Sequence, residues 1–269
     1  MKIPATLFVL AAALAATASL NAQDWAKPRL EKSPRHLEWV KVKYGSREVS
    51  CFIAYPEVAT KATAVIVIHE IFGLSDWVRG VTDQLAEAGY IAIAPDLLSG
   101  TAPNGGGTAE LGSGDAVRKA ISGLPAEQVT ADLKAVCDYV AKLPAGNGQV
   151  AVAGFCWGGS QTFRFATNQP SLKAAFAFYG SGPTNAEDIA RISCPVFGFY
   201  GGNDARVNAT IPQSTELMKV AQKTYEPVTY AGAGHGFMRA GEDPTDKNPA
   251  NKKARDEAWQ RWLDLLKKT

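Results

Sequence analysis

The stretch AVAGFCWGGS, residues 151–160, places a cysteine inside a turn of small residues. The preceding QVAVAG alternates and predicts a strand, and the following SQTFRFA carries apolar side chains at helical spacing. Gly154, Cys156 and Gly158 thus form a G-x-C-x-G strand-to-helix turn. Glycines permit a sharp turn that lifts the central side chain clear of the sheet, as in the G-x-S-x-G nucleophile elbow. Cys156 is therefore a candidate nucleophile, and the alternative is a small apolar thiol packed between helix and sheet.

Two further residues could form a catalytic set with this thiol. Asp204 follows the predicted strand PVFGFY, and His235 follows the predicted strand EPVTY. Nucleophile, acid and histidine occur in this chain order in α/β-hydrolases. A thiol needs a base to remove its proton, and the base needs a third group to hold its tautomer. The order predicts His235 as the base and Asp204 as its orienting carboxylate, although an aspartate after two glycines is also typical of a turn.

Other polar residues also stand at predicted strand ends. His69 and Glu70 end AVIVIHE, and Asp96 ends YIAIAPD. We expect a hydrogen-bonded structural role for His69 and a turn or cap role for Asp96. His36 lies in the N-terminal approach, so His235 is the histidine that the pattern favours for catalysis.

Alternating strands and helices must position these residues. A hairpin is predicted over residues 37–55, with buried strands at 64–70, 90–96, 149–154, 173–180, 195–201 and 226–232. Helices are predicted over 76–89 with Asp76 as its N-cap, over 127–142, from 159, over 211–222 and over a final segment ending at 268. The fold class is therefore α/β, with a mostly parallel sheet, helices on both faces, and its chemistry at the carboxyl ends of the strands.

The segment SGTAPNGGGTAELGSGDA, residues 99–116, interrupts the alternation. It has many glycines and few apolar residues. We interpret it as a mobile lid over a site, with an unstructured surface insertion as the alternative.

The N-terminus combines one lysine, an apolar stretch over residues 7–18 and small residues up to Ala22. These are the parts of a secretory signal peptide, and the run is shorter than the roughly 20 residues that span a bilayer. We expect a signal peptide over 1–22 and a single domain over 23–269, exported to a bacterial periplasm. Cleavage after Ala18 and an uncleaved anchor are the alternatives.

The net charge and the cysteines limit which binding partners and disulfides we expect. A net charge of +2 without a long charged run gives no indication of nucleic acid or an anionic membrane surface. We expect a small-molecule substrate, no stable membrane insertion, no metal, no organic cofactor, and a monomer or weak oligomer. If Cys156 is reactive, an oxidising compartment leaves room for at most one disulfide among the other three cysteines, which are Cys51, Cys137 and Cys194.

Five motifs in order resemble the dienelactone hydrolase (carboxymethylenebutenolidase) family. They are HEIFGL at 69–74, PDLL at 95–98, GFCWGG at 154–159, GGNDARV at 201–207 and GHGFMR at 234–239. The likeness extends over about residues 40–265. It implies an α/β-hydrolase that cleaves a lactone or activated ester through Cys156, His235 and Asp204, with a thioester acyl-enzyme.

The resemblance also implies roles for residues around this triad. Glu70 would take the thiol proton when substrate arrives, which keeps the thiol neutral and protected from oxidation until then. The backbone N–H groups of Ile71 and Trp157 would form the oxyanion hole.

Substrate recognition departs from the family pattern. Members that act on dienelactone hold its carboxylate with two arginines. Arg239 matches the second, but Gly100 stands where the first is expected. Arg79, Arg118 and Arg206 are candidates to replace it. The prediction is therefore a broader esterase or lactonase. The alternatives are a non-catalytic binding or sensing protein with the same fold, and a thiol-redox role that lacks a CxxC partner.

Overall fold

The computed structural model describes residues 23–269. The predicted signal peptide, residues 1–22, lies outside the described residues, so it stays a prediction. Across residues 23–269, no helix is both long enough and apolar enough to cross a bilayer.

One eight-stranded sheet forms the centre of the described chain, with the order β1-β2-β4-β3-β5-β6-β7-β8. The strands are β1 (Leu37–Tyr44), β2 (Arg47–Ala54), β3 (Ala62–Ile68), β4 (Ile91–Pro95), β5 (Gly146–Phe155), β6 (Ala175–Phe178), β7 (Val196–Gly201) and β8 (Tyr225–Tyr230). The hairpin β1–β2 and the pair β2–β4 are antiparallel, and every pair from β4 to β8 is parallel. Strands β3 and β4 are almost entirely buried, which explains their continuous apolar sequences.

Helices cover both faces of this sheet. They are α1 (Lys27–Glu31), α2 (Asp76–Glu87), α3 (Gly114–Ser122), α4 (Ala126–Ala141), α5 (Trp157–Ala166), α6 (Ala186–Ala190), α7 (Ala205–Asn208), α8 (Ile211–Val220), α9 (Phe237–Ala240) and α10 (Pro249–Leu266). On one face, α2 and α10 bury Trp77 and Trp262 against the sheet. On the other, α4, α5 and α8 contribute Val136, Phe163 and Met218. The predicted α/β class, with a mostly parallel sheet between two helical layers, is confirmed.

The start of α2 differs from the sequence prediction, and the short helices α1, α6, α7 and α9 were not predicted. Asp76 was predicted to cap α2, but the N-cap position belongs to Ser75, and Asp76 is the first helical residue. The Asp76 carboxylate instead pairs with Arg79 one turn later. An acidic side chain in the first turn still interacts favourably with the helix dipole, which explains why the sequence pattern suggested a cap.

The glycine-rich segment is anchored at its centre. The Thr108 backbone N–H donates to Asp96 Oδ2 at 2.7 Å, its hydroxyl donates to Asp96 Oδ1 at 2.7 Å, and Leu74 N–H donates to the same hydroxyl at 3.1 Å. The segment also contains the start of α3, which sequence reasoning did not predict. Its neighbour Leu98 belongs to a small apolar cluster that packs against Trp157. The segment therefore lies beside the elbow, and its role as a moving lid stays a prediction.

Candidate active site

The cysteine elbow joins β5 to α5. Cys156 has φ 57° and ψ −116°, a conformation that is strained for a residue with a Cβ. Its N–H donates to Phe178 O at 3.0 Å, which fixes the turn to β6. A Cβ at Gly158 would lie 2.4 Å from the carbonyl oxygens of Ile68 and His69. Glycine is therefore required at position 158, because α5 begins directly against the end of β3.

Asp204 follows β7 and His235 follows β8, and both side chains extend to the cysteine elbow. His235 Nε2 lies 3.1 Å from Cys156 Sγ, and His235 Nδ1 lies 2.5 Å from Asp204 Oδ2. An ionised carboxylate only accepts, so Nδ1 carries the proton and the Nε2 lone pair faces the thiol. Asp204 is itself held at the start of α7, where its Oδ1 accepts from Val207 N–H at 3.3 Å. The sequence-predicted thiol, imidazole and carboxylate therefore form one continuous chain of contacts.

The Cys156 thiol is neutral in this environment. Burial, with the nearby Glu70 carboxylate as the next cause, raises the pKa of Cys156 to about 11. The backbone N–H groups of Trp157 and Ile71 interact with the sulfur and lower its pKa in part, as does the charge of Arg206. The N–H groups of Trp157 and Ile71 are therefore close enough to act on the thiol, and their role as oxyanion donors stays a prediction. At pH 7 the thiol keeps its proton, which protects it from oxidation.

Glu70 is buried beside this thiol and forms an ion pair with Arg239. Arg239 Nε donates to Glu70 Oε2 at 2.8 Å, and the Glu70 side chain is 2% exposed. Burial raises the pKa of Glu70, and the Arg239 guanidinium counteracts that rise. Among the hydrogen bonds of residues 23–269, none joins Glu70 to Cys156 Sγ, which contacts His235 instead. The predicted transfer of the thiol proton to Glu70 therefore requires the cysteine side chain to rotate.

The contacts of Asp96, His69 and His36 agree with the structural roles or positions expected from the sequence. Asp96 accepts hydrogen bonds from Leu98 N–H and from Thr108, so it is a strand-end cap. His69 is fully buried, and its Nδ1 lies 2.8 Å from Glu70 O. His36 is exposed and lies near Glu38.

Sequence reasoning missed Tyr179, which follows β6 directly. Tyr179 has φ 40°, and its buried hydroxyl has no hydrogen-bond partner among the described residues. Its ring packs edge-on against the His235 ring, with centroids 5.1 Å apart. Burial raises the pKa of Tyr179 well above the ordinary value, and the Glu70 charge adds to the rise. The signal that could have found it is positional, since FYG ends a strand at the same sheet edge as Cys156 and Asp204.

The three arginines that could replace the missing substrate-binding arginine differ in their partners. Arg79 pairs with Asp76 and packs over the rings of Trp39 and Phe52. Arg118 pairs with Asp115. Arg206 is exposed, has no carboxylate partner among the described residues, and acts electrostatically on the Cys156 thiol. At Gly100 itself, the nearby guanidinium is that of Arg47, which is already bound to Asp132. Of the three candidates, Arg206 is the one whose charge reaches the thiol.

All four cysteines lie within the described residues and are free thiols. Cys51, Cys137 and Cys194 are buried, and burial raises the pKa of Cys194 to about 11. No disulfide among them is formed in residues 23–269. In the same range, no three side chains of His, Cys, Asp or Glu are grouped as a metal site.

Comparison with known proteins identifies the family. The family model described as "Dienelactone hydrolase family" matches residues 49–269. The chain belongs to the dienelactone hydrolase family. It is 32% identical over 231 residues to a Yersinia pestis protein named "Putative carboxymethylenebutenolidase", covering 81% of this chain and 82% of that protein. The resemblance in the sequence motifs is therefore confirmed, and the protein is a carboxylic ester hydrolase of the dienelactone hydrolase type.

Solved structures agree with this family membership. The crystal structure named "Putative Dienelactone Hydrolase" from Klebsiella pneumoniae superposes with a TM-score of 0.74 at 27% identity, covering 87% of this chain and 99% of that one. An acylaminoacyl peptidase from Pyrococcus horikoshii superposes with a TM-score of 0.63 at 14% identity over 90% of this chain and 43% of its own. The second likeness concerns the fold alone. The dienelactone hydrolase described here therefore has the predicted α/β-hydrolase fold.

Proposed function

We propose that the protein hydrolyses a lactone or activated carboxylic ester through Cys156, His235 and Asp204, with a thioester acyl-enzyme. The observation that carries the proposal is the chain of contacts from Sγ to Nε2 at 3.1 Å and from Nδ1 to the carboxylate at 2.5 Å. These are the contacts that nucleophilic catalysis needs between nucleophile, base and orienting group.

In the acylation step, Cys156 sulfur attacks the substrate carbonyl carbon as its thiol loses the proton. The carbonyl oxygen becomes an oxyanion beside the N–H groups of Ile71 and Trp157, which already interact with the sulfur. The C–O bond to the leaving group then breaks, the leaving oxygen receives a proton through His235, and a thioester remains. Water activated by His235 attacks that thioester, releases the acid and returns the proton to sulfur.

We assign Glu70 the role of first proton acceptor when an anionic substrate arrives. Arg239 now holds the Glu70 carboxylate at 2.8 Å. A substrate carboxylate that engages Arg239 would weaken this ion pair, and the buried Glu70, whose pKa burial raises, would become a stronger base. The thiol, turned from His235 toward Glu70, would then lose its proton, which would reach the leaving oxygen by way of His235.

Two arginines support an anionic or otherwise polar substrate. Arg239 belongs to the Glu70 ion pair, and the exposed Arg206 follows Asp204 by two residues and acts electrostatically on the Cys156 thiol. With Gly100 in place of the expected arginine, the preference for a carboxylate is proposed to be weaker than in family members with both arginines, and the range of esters broader. Export to a periplasm is proposed from the N-terminal sequence.

The test is a burst assay on the mature chain with p-nitrophenyl acetate and a cis-dienelactone. Wild type is compared with Cys156→Ser, Cys156→Ala and the matched control Cys194→Ala, which removes a buried free thiol of the apolar core. We expect a burst of p-nitrophenol and an acetyl group on Cys156 by mass spectrometry in wild type and Cys194→Ala. Equal turnover in wild type and Cys156→Ala, with the thiol shown to be reduced, would support the non-catalytic binding protein instead.

A further inference from the structure

We infer that His69 is a positioning residue that aims both donors of the oxyanion hole at Cys156. The inference rests on the proposed function, because an oxyanion hole matters only if Cys156 attacks a carbonyl. His69 lies outside the triad and does not touch the thiol. It acts through the two backbone segments that hold the donors, 69–71 and 156–157.

The first donor is aimed through a single peptide plane. His69 Nδ1 lies 2.8 Å from Glu70 O, and Gly73 N–H donates to the same oxygen at 3.2 Å. This carbonyl shares its peptide bond with the N–H of Ile71. A trans peptide is planar, so its C=O and N–H point in opposite directions. Holding the Glu70 carbonyl on one side therefore turns the Ile71 N–H to the other, toward the Cys156 thiol whose pKa this N–H lowers.

The same contact also strengthens the donor. A peptide whose carbonyl accepts hydrogen bonds is polarised, and its N–H becomes a better donor. The Glu70 carbonyl accepts two such bonds, one from a side chain and one from the backbone. His69 thus affects both the direction and the strength of the Ile71 N–H.

The tautomer of His69 follows from its contacts. A carbonyl oxygen can only accept, so Nδ1 carries the ring proton. Burial lowers the pKa of His69 and keeps the ring neutral, which leaves Nε2 as a bare acceptor. That Nε2 atom is buried and has no partner among the described residues. A buried polar atom without a partner costs folding free energy, so the hydrogen bond of this ring is the one that Nδ1 makes.

The second donor is positioned by stacking. The His69 ring lies parallel to the Trp157 ring, with an interplanar angle of 17° and centroids 5.4 Å apart. Trp157 supplies the other N–H at the sulfur. The backbones of the two segments also approach each other closely, because a Cβ at Gly158 would lie 2.4 Å from His69 O. One buried ring therefore contacts both segments that carry oxyanion donors.

Two variants separate the hydrogen bond from the stack. His69→Phe keeps an aromatic ring against Trp157 but removes the Nδ1 donor, and His69→Asn keeps an amide donor near the position of Nδ1 but removes the ring. We expect His69→Phe to lower kcat about 10-fold with KM unchanged, since removing an oxyanion donor outright costs 10²–10³-fold and this change only misdirects one. His69→Asn should recover part of that loss. His36→Phe is the matched control and should behave as wild type.

The decisive measurement is the absorption spectrum of a cinnamoyl acyl-enzyme. A cinnamoyl thioester absorbs at longer wavelength when its carbonyl oxygen accepts strong hydrogen bonds, and the denatured acyl-enzyme gives the unshifted reference. We expect a red shift in wild type, a smaller shift in folded His69→Phe, and an intermediate shift in His69→Asn. A purely structural role would lower the unfolding temperature and leave the spectrum of the folded protein unchanged.

The outcomes separate this inference from the proposed function. If wild type forms the cinnamoyl adduct on Cys156, and His69→Phe shows the same red shift and kcat, the inference on His69 is overturned and the proposed function stands. If wild type forms no adduct on Cys156, the proposed function fails and the inference on His69 fails with it.

Discussion

Replacing Gly158 by alanine tests whether the tight contact between the elbow and strand β3 sets up the active site. The new Cβ would lie 2.4 Å from two backbone carbonyl oxygens, those of Ile68 and His69. Real Cβ contacts essentially never fall below 3.0 Å, so α5 and the end of β3 must separate by about 0.6 Å. The atoms in the way belong to backbone inside a sheet, so neither side can yield by rotating a side chain.

The expected loss has two parts. Overpacking a buried contact costs about 1–3 kcal/mol of unfolding free energy. The separation also moves the Trp157 N–H away from the Ile71 N–H, and a displacement on the order of 1 Å in a catalytic site costs about 100-fold in rate. We therefore expect Gly158→Ala to lower kcat by about 10- to 100-fold, because its displacement is smaller than 1 Å.

Gly80→Ala is the matched control. Gly80 lies within α2, and a Cβ there would meet nothing within 4 Å. This change should raise the unfolding free energy by about 0.5–1 kcal/mol, because glycine loses more backbone entropy in a helix than alanine does. It should leave kcat unchanged.

Urea unfolding and steady-state hydrolysis of p-nitrophenyl acetate measure both effects. The urea midpoint gives the change in stability where the m-value is constant. The reasoning is refuted if Gly158→Ala retains both the stability and the kcat of wild type, since the close approach would then have no consequence. A loss of stability with full kcat would refute the link from the elbow to the oxyanion donors.

Four other predictions test the site. Asp204→Asn should lower kcat on the order of 10⁴-fold, because the amide no longer holds the Nδ1–H tautomer of His235, and activity near wild type would contradict this. Alkylation of Cys156 by iodoacetamide should accelerate about tenfold per pH unit up to its pKa of about 11, and a plateau near pH 7 would contradict a neutral thiol. The free energy of unfolding should fall as the pH rises from the ordinary thiol pKa of 9.0 to about 11, because the unfolded chain releases the Cys156 proton at the lower pH. Arg206→Ala should raise KM roughly 2- to 5-fold for a carboxylate-bearing lactone and leave p-nitrophenyl acetate unaffected, whereas Arg118→Ala should change neither.

Much of the fold could be predicted because each signal was local. Buried strands such as β3 and β4 are continuous apolar runs, and the helices that alternate with them show the 3.6-residue period. The contacts among Cys156, Asp204 and His235 could be predicted from their positions after the parallel strands β5, β7 and β8, because parallel strands bring their carboxyl ends to one edge.

The parts that were missed depend on contacts distant in sequence. Tyr179 has φ 40°, which an L-residue adopts only when its surroundings force it, so no local sequence pattern predicts this conformation. The ion pair of Glu70 with Arg239 joins residues 169 positions apart. The Asp76 cap was wrong because a side chain at a helix start can interact with the dipole without accepting a backbone hydrogen bond.

The arrangement of the site across the sheet has a consequence for how the protein gains activity as it folds. Cys156 and His235 are 79 residues apart, and strands β6 and β7 lie between β5 and β8, the strands that lead to them. Such long-range pairing of parallel strands forms slowly and late. No fragment that lacks β7 or β8 contains the complete triad, so hydrolysis reports on assembly of this half of the sheet. In a refolding experiment, recovered turnover should therefore lag behind the recovery of helical circular dichroism.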